Sequence, residues 1–468
     1  MLRASLAAER AGYPSVTIIA TPFLKLAHHV AKGLGMEGLP IAEYQGVPMI
    51  DSTENLRRTV REVTVPRIIS GLTSQNNTRA VKEAEPKSDE IVFRGTLQEV
   101  QDFFYARLWT DGLPIMPPTR QAVEEMLKFT DRPPSDVIGV LPPENRQATV
   151  WNTAVTGVMA GCRPEYMPVL LAVVEAVADP AFRIVDAGST PGWEPLIVVN
   201  GPIVKELEFN HGTGAMRAGR QANTSIGRFL KLYMRNIAGF RIPPGEGDKG
   251  TIGGNFNVAL AEDEDTVAEL AWKSFSVGRG FEARDSVVTV QGVLYITPPI
   301  LSGGDSANDH LQTLSEVFGQ LCSYRAYIGI KNKQYCPLLV LAPSVARVIA
   351  KDGLAKDDIK TFLYEHAKMP ADTMERYAWA SGHTTYSLRA LVAEGEIPQE
   401  YFQSDDPKRL VRIFVKPEMI GILVAGDVGR NQSKGYVINH IHGAPVSKKI
   451  VLPSGWNPKV NLATPKTS

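Results

Sequence analysis

Short β-branched runs separated by helix-length segments are the feature that most constrains this chain. Ser15–Ala20 (SVTIIA) lies between a helical stretch that starts at Met1 and stops at Gly12 and a second one from about Phe23 to Gly35. A short apolar step, Leu39–Ala42, and a helical segment from Thr53 to about Ser70 continue the alternation. Parallel strands need crossover connections, and helices that make those crossovers cover the sheet, so a β-branched run between helices reads as a buried parallel strand. The expected fold class is α/β. The chain opens on a helix, without the preceding strand and turn after which α/β ligand sites usually sit. Residues 1–72 are therefore expected to form a truncated parallel α/β unit.

Residues 73–90 (TSQNNTRAVKEAEPKSDE) are polar and almost free of large apolar side chains, which is the composition of a linker. A larger unit, mixed α/β or α+β, is expected over 91–468. Its first helix starts at Thr96, with Glu99 three residues on as a capping box. The turn DGLPIMPPT (111–119) precedes a helix from Arg120 to about Lys128. Helices are expected at 168–178, 223–237 and 345–351, and strands at 195–200, 286–293, 337–342, 419–425 and 436–442.

The 468 residues hold 50 Lys+Arg against 50 Asp+Glu, so no net positive field draws the protein to nucleic acid or an anionic membrane. No run approaches the about 18 uninterrupted apolar residues that span a bilayer, and the N-terminal residues lack the order of a signal peptide. Three scattered cysteines, Cys162, Cys322 and Cys336, cannot build a disulfide framework or a four-thiolate zinc site. A cytoplasmic protein acting on a small molecule is expected, with a separate small subunit or a second copy as partner. No particular cofactor follows from the residues.

Cys162 stands between Gly161 and Pro164 where a turn feeds a long helix, a place that favours a thiolate through unpaired N–H groups, with Arg163 beside it. The alternative is a small buried hydrophobe. Cys322 and Cys336 read as core. The stretch FNHGTGAMRAGRQANTSIGRF (209–229) is the most site-like in the chain. Gly212, Gly214 and Gly219 allow positive φ and close backbone approach, His211 titrates near neutrality, and Arg217 and Arg220 offer planar forks for a carboxylate or phosphate. Asn210 and the loop N–H groups can hold developing negative charge. The competing reading is a surface loop with solvated arginines.

Further glycine clusters are KGTIGGN (249–255), LSGGDSANDH (301–310), where Asp305, Asp309 and His310 read first as a helix cap, and AGDVGRN (425–431), which lacks nucleotide-loop spacing. His440 and His442 sit at i and i+2, on one face of a strand, and offer two ligands to a metal. No H-E-x-x-H, G-x-S-x-G or C-x-x-C occurs.

The segments TIIATPFLKLAHHVAKGLGMEGLPI and LRRTVREVTVPRII resemble the UGSC-type (seleno)protein domain. DGLPIMPPT, MAGCRPEYMPV, VNGPI, ANTSIGR and LVAGDVGR are similar to a poorly characterised domain found with it. The family takes its name from a Sec/Cys-Gly-Ser-Cys motif, so the resemblance implies thiol or selenol chemistry on the first βα turn. No such residues stand in this sequence. Two expectations follow: a start read downstream of an in-frame selenocysteine codon, or a separate polypeptide that supplies the piece. The resemblance also marks Cys162 and the 210–220 loop.

The function expected from these residues is thiol-dependent chemistry, redox or nucleophilic, on a small anionic or carbonyl-type substrate. Cys162 would be the nucleophile, His211 its base, Asn210 an oxyanion donor, Gly212 and Gly214 the backbone cradle, and Arg217 and Arg220 the substrate anchors. The rivals are a scaffolding subunit whose partner carries the reactive thiol or selenol, and a metal-dependent lyase or hydrolase using His440 and His442.

Overall fold

A computed structural model describes residues 2–33, 36, 38–48, 50–74, 90–188, 192–241, 256–382, 386–437 and 443–457. Most of the expected linker, the 249–255 loop, and His440 with His442 lie outside these residues.

In the N-terminal segment the strand–helix alternation becomes a parallel pair. Strand β1 (Thr17–Ala20) runs beside β2 (Ile41–Tyr44) with Thr17 opposite Ile41, and helix Leu24–Gly33 makes the crossover. Leu2, Ala27, Ala31 and Leu39 form its small apolar core. Ser52 caps the next helix by accepting the Asn55 N–H. That helix runs from Thr53–Thr59 through a π turn into Val65–Thr73, a few residues beyond the expected stop at 70.

The strands after residue 90 are β3 (Val137–Leu141), β4 (Arg146–Thr149), β5 (Glu194–Asn200), β6 (Leu260–Ala261) and β7 (Val287–Val293). They continue with β8 (Tyr295–Ile296), β9 (Ile300–Leu301), β10 (Leu338–Leu341), β11 (Lys368–Pro370), β12 (Leu410–Arg412), β13 (Gly421–Val424), β14 (Gln432–Val437) and β15 (Val446–Lys449). The first larger sheet has the order β15-β7-β5-β6, with β5 and β6 parallel and β7 antiparallel to both its neighbours. The second has the order β13-β10-β14-β8, with β9 also on β14; only β10 and β13 are parallel. The fold is α/β in small mixed sheets.

All of β7 is buried, and helix Met167–Ala178, apolar on every side, packs under the first sheet. A second apolar cluster surrounds helix Ala307–Asn332 and strands β10 and β13. A third joins the two sheets through Leu196, Leu260, Leu338, Leu423 and Tyr436. That join is where the loops after β5, β6 and β13 meet.

Candidate active site

Three of the segments singled out above meet residues 209–228, within which ANTSIGR itself lies. From DGLPIMPPT, Asp111 makes a bidentate ion pair with Arg228 at 2.8 and 2.9 Å, and Pro114 O accepts from the same guanidinium at 2.8 Å. Met116 N donates to Met159 O, and Gln221 Nε2 donates to Gly161 O at 3.2 Å, which ties in MAGCRPEYMPV. From ANTSIGR, the buried Asn223 side chain accepts from Asn210 N at 2.7 Å and donates to Asn210 O and Ala259 O. After β13, Gly426 N donates to His211 O at 2.8 Å. Asn200 and Gly201 of VNGPI face the residues after β6, as described below.

Cys162 does not occupy a helix N-terminus. Helix Val150–Ala160 ends at Gly161 in the left-handed region (φ +81°), with Gly161 N donating to Val158 O and Cys162 N to Gly157 O. This is a Schellman motif, in which Cys162 is the second residue past the helix and packs back on it. The macrodipole end beside the sulfur is thus the negative one. Arg163 pairs with Glu165 at 3.6 Å. Burial pushes the thiol up to about 12, against a Ser225 hydrogen bond and the Arg228 charge that favour the thiolate. The lowered pKa expected for Cys162 is corrected: desolvation outweighs the two favourable partners. Cys322 and Cys336 are core residues, as expected, and burial raises both thiols, Cys336 to about 11.

The loop that carries His211 uses its polar groups inward. Asn210 Oδ1 accepts from Gly212 N at 3.1 Å and Asn210 Nδ2 donates to Thr213 O at 3.1 Å, an Asx turn that closes on itself. One of the two Asn210 Nδ2 hydrogens is thereby used inside the turn rather than toward a ligand. Gly214 takes positive φ (+74°), whereas Gly212 and Gly219 do not need their conformational freedom. Arg217 is exposed, and Arg220 is exposed and 3.7 Å from Glu208. In 301–310 the capping reading holds: Ser306 caps helix Ala307–Asn332 with Asp309 as its capping-box partner, and His310 is buried against Ser302 Oγ at 2.8 Å.

His211 faces a different set of partners. A cleft of about 360 Å³ is lined by His211, Gly201, Lys205, Glu262, Glu264 and Asp265, among others, and Cys162 is not in its lining. His211 Nδ1 is buried 3.6 Å from Asp263 Oδ1, too long for a hydrogen bond. Asp263 is held by Thr266, whose N–H and hydroxyl donate to it at 3.1 and 2.7 Å. Glu264 Oε1 accepts from Asn200 Nδ2 at 3.0 Å and Gly201 N at 2.8 Å. Burial nevertheless raises the Glu264 carboxyl above the usual range, helped by the charge on Glu262. Glu262 is fully buried and paired with Lys356 at 2.6 Å.

A raised carboxyl and an imidazole in one cleft are the elements of a general acid and a general base. Sequence reasoning missed Glu262, Asp263, Glu264, Asn200 and Lys356. The signal was present as the run AEDED (261–265) directly after a short apolar run, but four adjacent carboxylates read as a solvated surface. Their partners lie far away in sequence, and the pairing cannot be seen without the fold. Among the described residues no group of three or more His, Cys, Asp or Glu is arranged to hold a metal ion.

Residues 1–74 match the model of the UGSC family, consistent with a UGSC-type domain at the N-terminus. No curated protein and no solved structure matches the chain. No helix of the described residues is long and apolar enough to cross a membrane.

Proposed function

We propose that the protein is an enzyme that moves a proton on a small carbonyl compound in the His211–Glu264 cleft. The observation that carries this reading is the Glu264 carboxyl, raised by burial, in the same cleft as an imidazole backed by Asp263. In this mechanism the protonated Glu264 donates a hydrogen bond to the substrate carbonyl oxygen. His211 Nε2 takes the proton from the adjacent carbon, and Asp263 stabilises the imidazolium that results. The proton returns from His211 in the reverse step, so no oxidant or reductant is consumed. Glu262 and Asp265 add carboxylates to the lining and Asp265 holds its lysine, Lys205, which weighs against the anionic substrates also expected from the sequence and favours a neutral carbonyl compound. The three cysteines are free, which supports a reducing compartment, the cytoplasm.

The test is exchange in D2O. Small aldehydes and ketones that raise the melting temperature are incubated with the enzyme, and deuterium incorporation next to the carbonyl is followed by proton NMR. The expected result is exchange that disappears in both His211→Asn and Glu264→Gln. Exchange that survives both substitutions sinks the reading.

A thiol-centred version has one observation in its favour: Ser225 and the Arg228 charge both act to stabilise a Cys162 thiolate. It requires a ligand or a movement that reverses the desolvation of the sulfur, and Cys162→Ser would then abolish exchange while His211→Asn would not.

A further inference from the structure

Glu262 is the most heavily hydrogen-bonded side chain near the cleft, and its partners come from four separate places in the chain. Its Oε2 accepts from Asn200 Nδ2 at 2.7 Å and from Phe275 N at 2.6 Å. Its Oε1 accepts from Lys356 Nζ at 2.6 Å and from Val424 N at 3.2 Å. Glu262 shows 0% side-chain exposure and Lys356 9%. A buried ion pair contributes little net stability, because desolvating two charges offsets their attraction. Stability alone is therefore a weak reason for this pair to stand here.

The Asn200 amide links the pair to the cleft. One nitrogen, Nδ2, donates both to Glu262 Oε2 at 2.7 Å and to Glu264 Oε1 at 3.0 Å. Lys356, Glu262, Asn200 and Glu264 thus form one chain of contacts. It runs from the first residue of helix Lys356–His366, packed with the second sheet, to the carboxyl that lines the cleft. We infer that Lys356 is a positioning residue for Glu264, acting through Glu262 and Asn200 from outside the cleft. The inference rests on the proposed role of Glu264 and deepens it, since it makes the acid of the first sheet dependent on a cation supplied from the second.

The charges that face Glu264 are Glu262 and Lys356 behind Asn200, Asp263 and Asp265 beside it in the chain, and Lys205 and His211 across the cleft. Lys205 is engaged by Asp265 at 2.5 Å. In Lys356→Met, Glu262 keeps three donors, Asn200 Nδ2 and the N–H groups of Phe275 and Val424. Glu264 then keeps its repelling neighbour and loses the cation that offsets it.

The experiment is a carbon-13 NMR titration of the Glu264 carboxyl in ligand-free protein, assigned with Glu264→Gln. In Lys356→Met the Glu264 midpoint moves to higher pH, and in Lys356→Arg it stays with the wild type. An unmoved midpoint in Lys356→Met, or an equal shift in Lys356→Arg, overturns the inference. Should Lys356→Met not fold, the neutral pair Glu262→Gln/Lys356→Met removes both charges. Its Glu264 midpoint must then fall below wild type, because the repulsion from Glu262 is the larger effect, and an unchanged midpoint again overturns it. The titration needs no substrate, so it fails independently of the exchange assay: a moved midpoint with exchange untouched by Glu264→Gln keeps the relay and removes the function.

Discussion

Alkylation of Cys162 by iodoacetamide measures directly whether this sulfur is a nucleophile. Burial takes the thiol from 9.0 to about 12, which leaves about a thousandfold less thiolate at neutral pH. Each thiolate of higher pKa is more nucleophilic, and with a Brønsted slope of about 0.4–0.5 this returns a factor of about 20. The net expectation is a rate roughly fiftyfold below that of an ordinary cysteine, before any steric shielding. The assay is peptide mass spectrometry after timed labelling between pH 6 and 10, with urea-unfolded protein as the ordinary thiol. The rate constant at Cys162 should climb tenfold per pH unit across the whole range, without a plateau. Ser225→Ala removes a hydrogen bond that favours the thiolate, so it should slow labelling further. Half-maximal labelling below pH 9, or labelling of folded protein as fast as unfolded, refutes the reasoning and restores the thiol-centred enzyme.

Two further outcomes are expected from stability measurements. A Cβ at Gly227 would lie 2.5 Å from the carbonyl carbon and oxygen of Asn257, both backbone atoms that cannot turn aside; Gly227→Ala should lower the stability by on the order of 2 kcal/mol in urea unfolding, and an unchanged midpoint contradicts that packing. Glu264→Gln should stabilise the fold in alkaline buffer and not in acid. A folded carboxyl pKa raised above its unfolded value contributes stability below the unfolded pKa that is lost as the pH climbs through the folded one. The gap between variant and wild type should open above pH 4.5, and a gap that instead grows toward low pH reverses the sign of the argument.

The sequence was most legible where local chemistry decides the outcome. The Thr96–Glu99 capping box, the β-branched runs at 195–200, 287–293 and 338–341, and the Ser306–Asp309 cap are all settled by residues within a few positions of one another. Sheet pairing was less legible. An apolar run is silent on whether its neighbour is parallel, and β7 proved antiparallel on both sides. The candidate site was half legible: His211 could be singled out, but its approach to the residues after β6 could not. The sequence shows which groups are present and not which are already satisfied. Asn210 closes its own turn, and the Cys162 N–H closes the end of the helix that precedes it.

The same accounting of satisfied groups explains why the proposed chemistry centres on His211. The loop is pinned from three sides: Asn223 holds its start, Gly426 takes the His211 carbonyl, and Gly214 turns the chain away. A loop held this way presents its imidazole at a fixed position, which proton transfer requires and which a flexible anion-binding loop does not give. Asp263 is fixed by Thr266 at the start of the next helix, and Glu264 by Gly201 just after β5. The proposed base and acid therefore hang on backbone from two different connections of the first sheet, while Lys356 on helix Lys356–His366 and Val424 of the second sheet hold Glu262 behind them. A slide of one sheet on the other would disturb the Glu262 contacts, the bond from Asp263 N to Val424 O and the bond from Gly426 N to His211 O together. The proposed acid and base are thus both tied to the contact between the sheets, a dependence no single segment of the sequence carries.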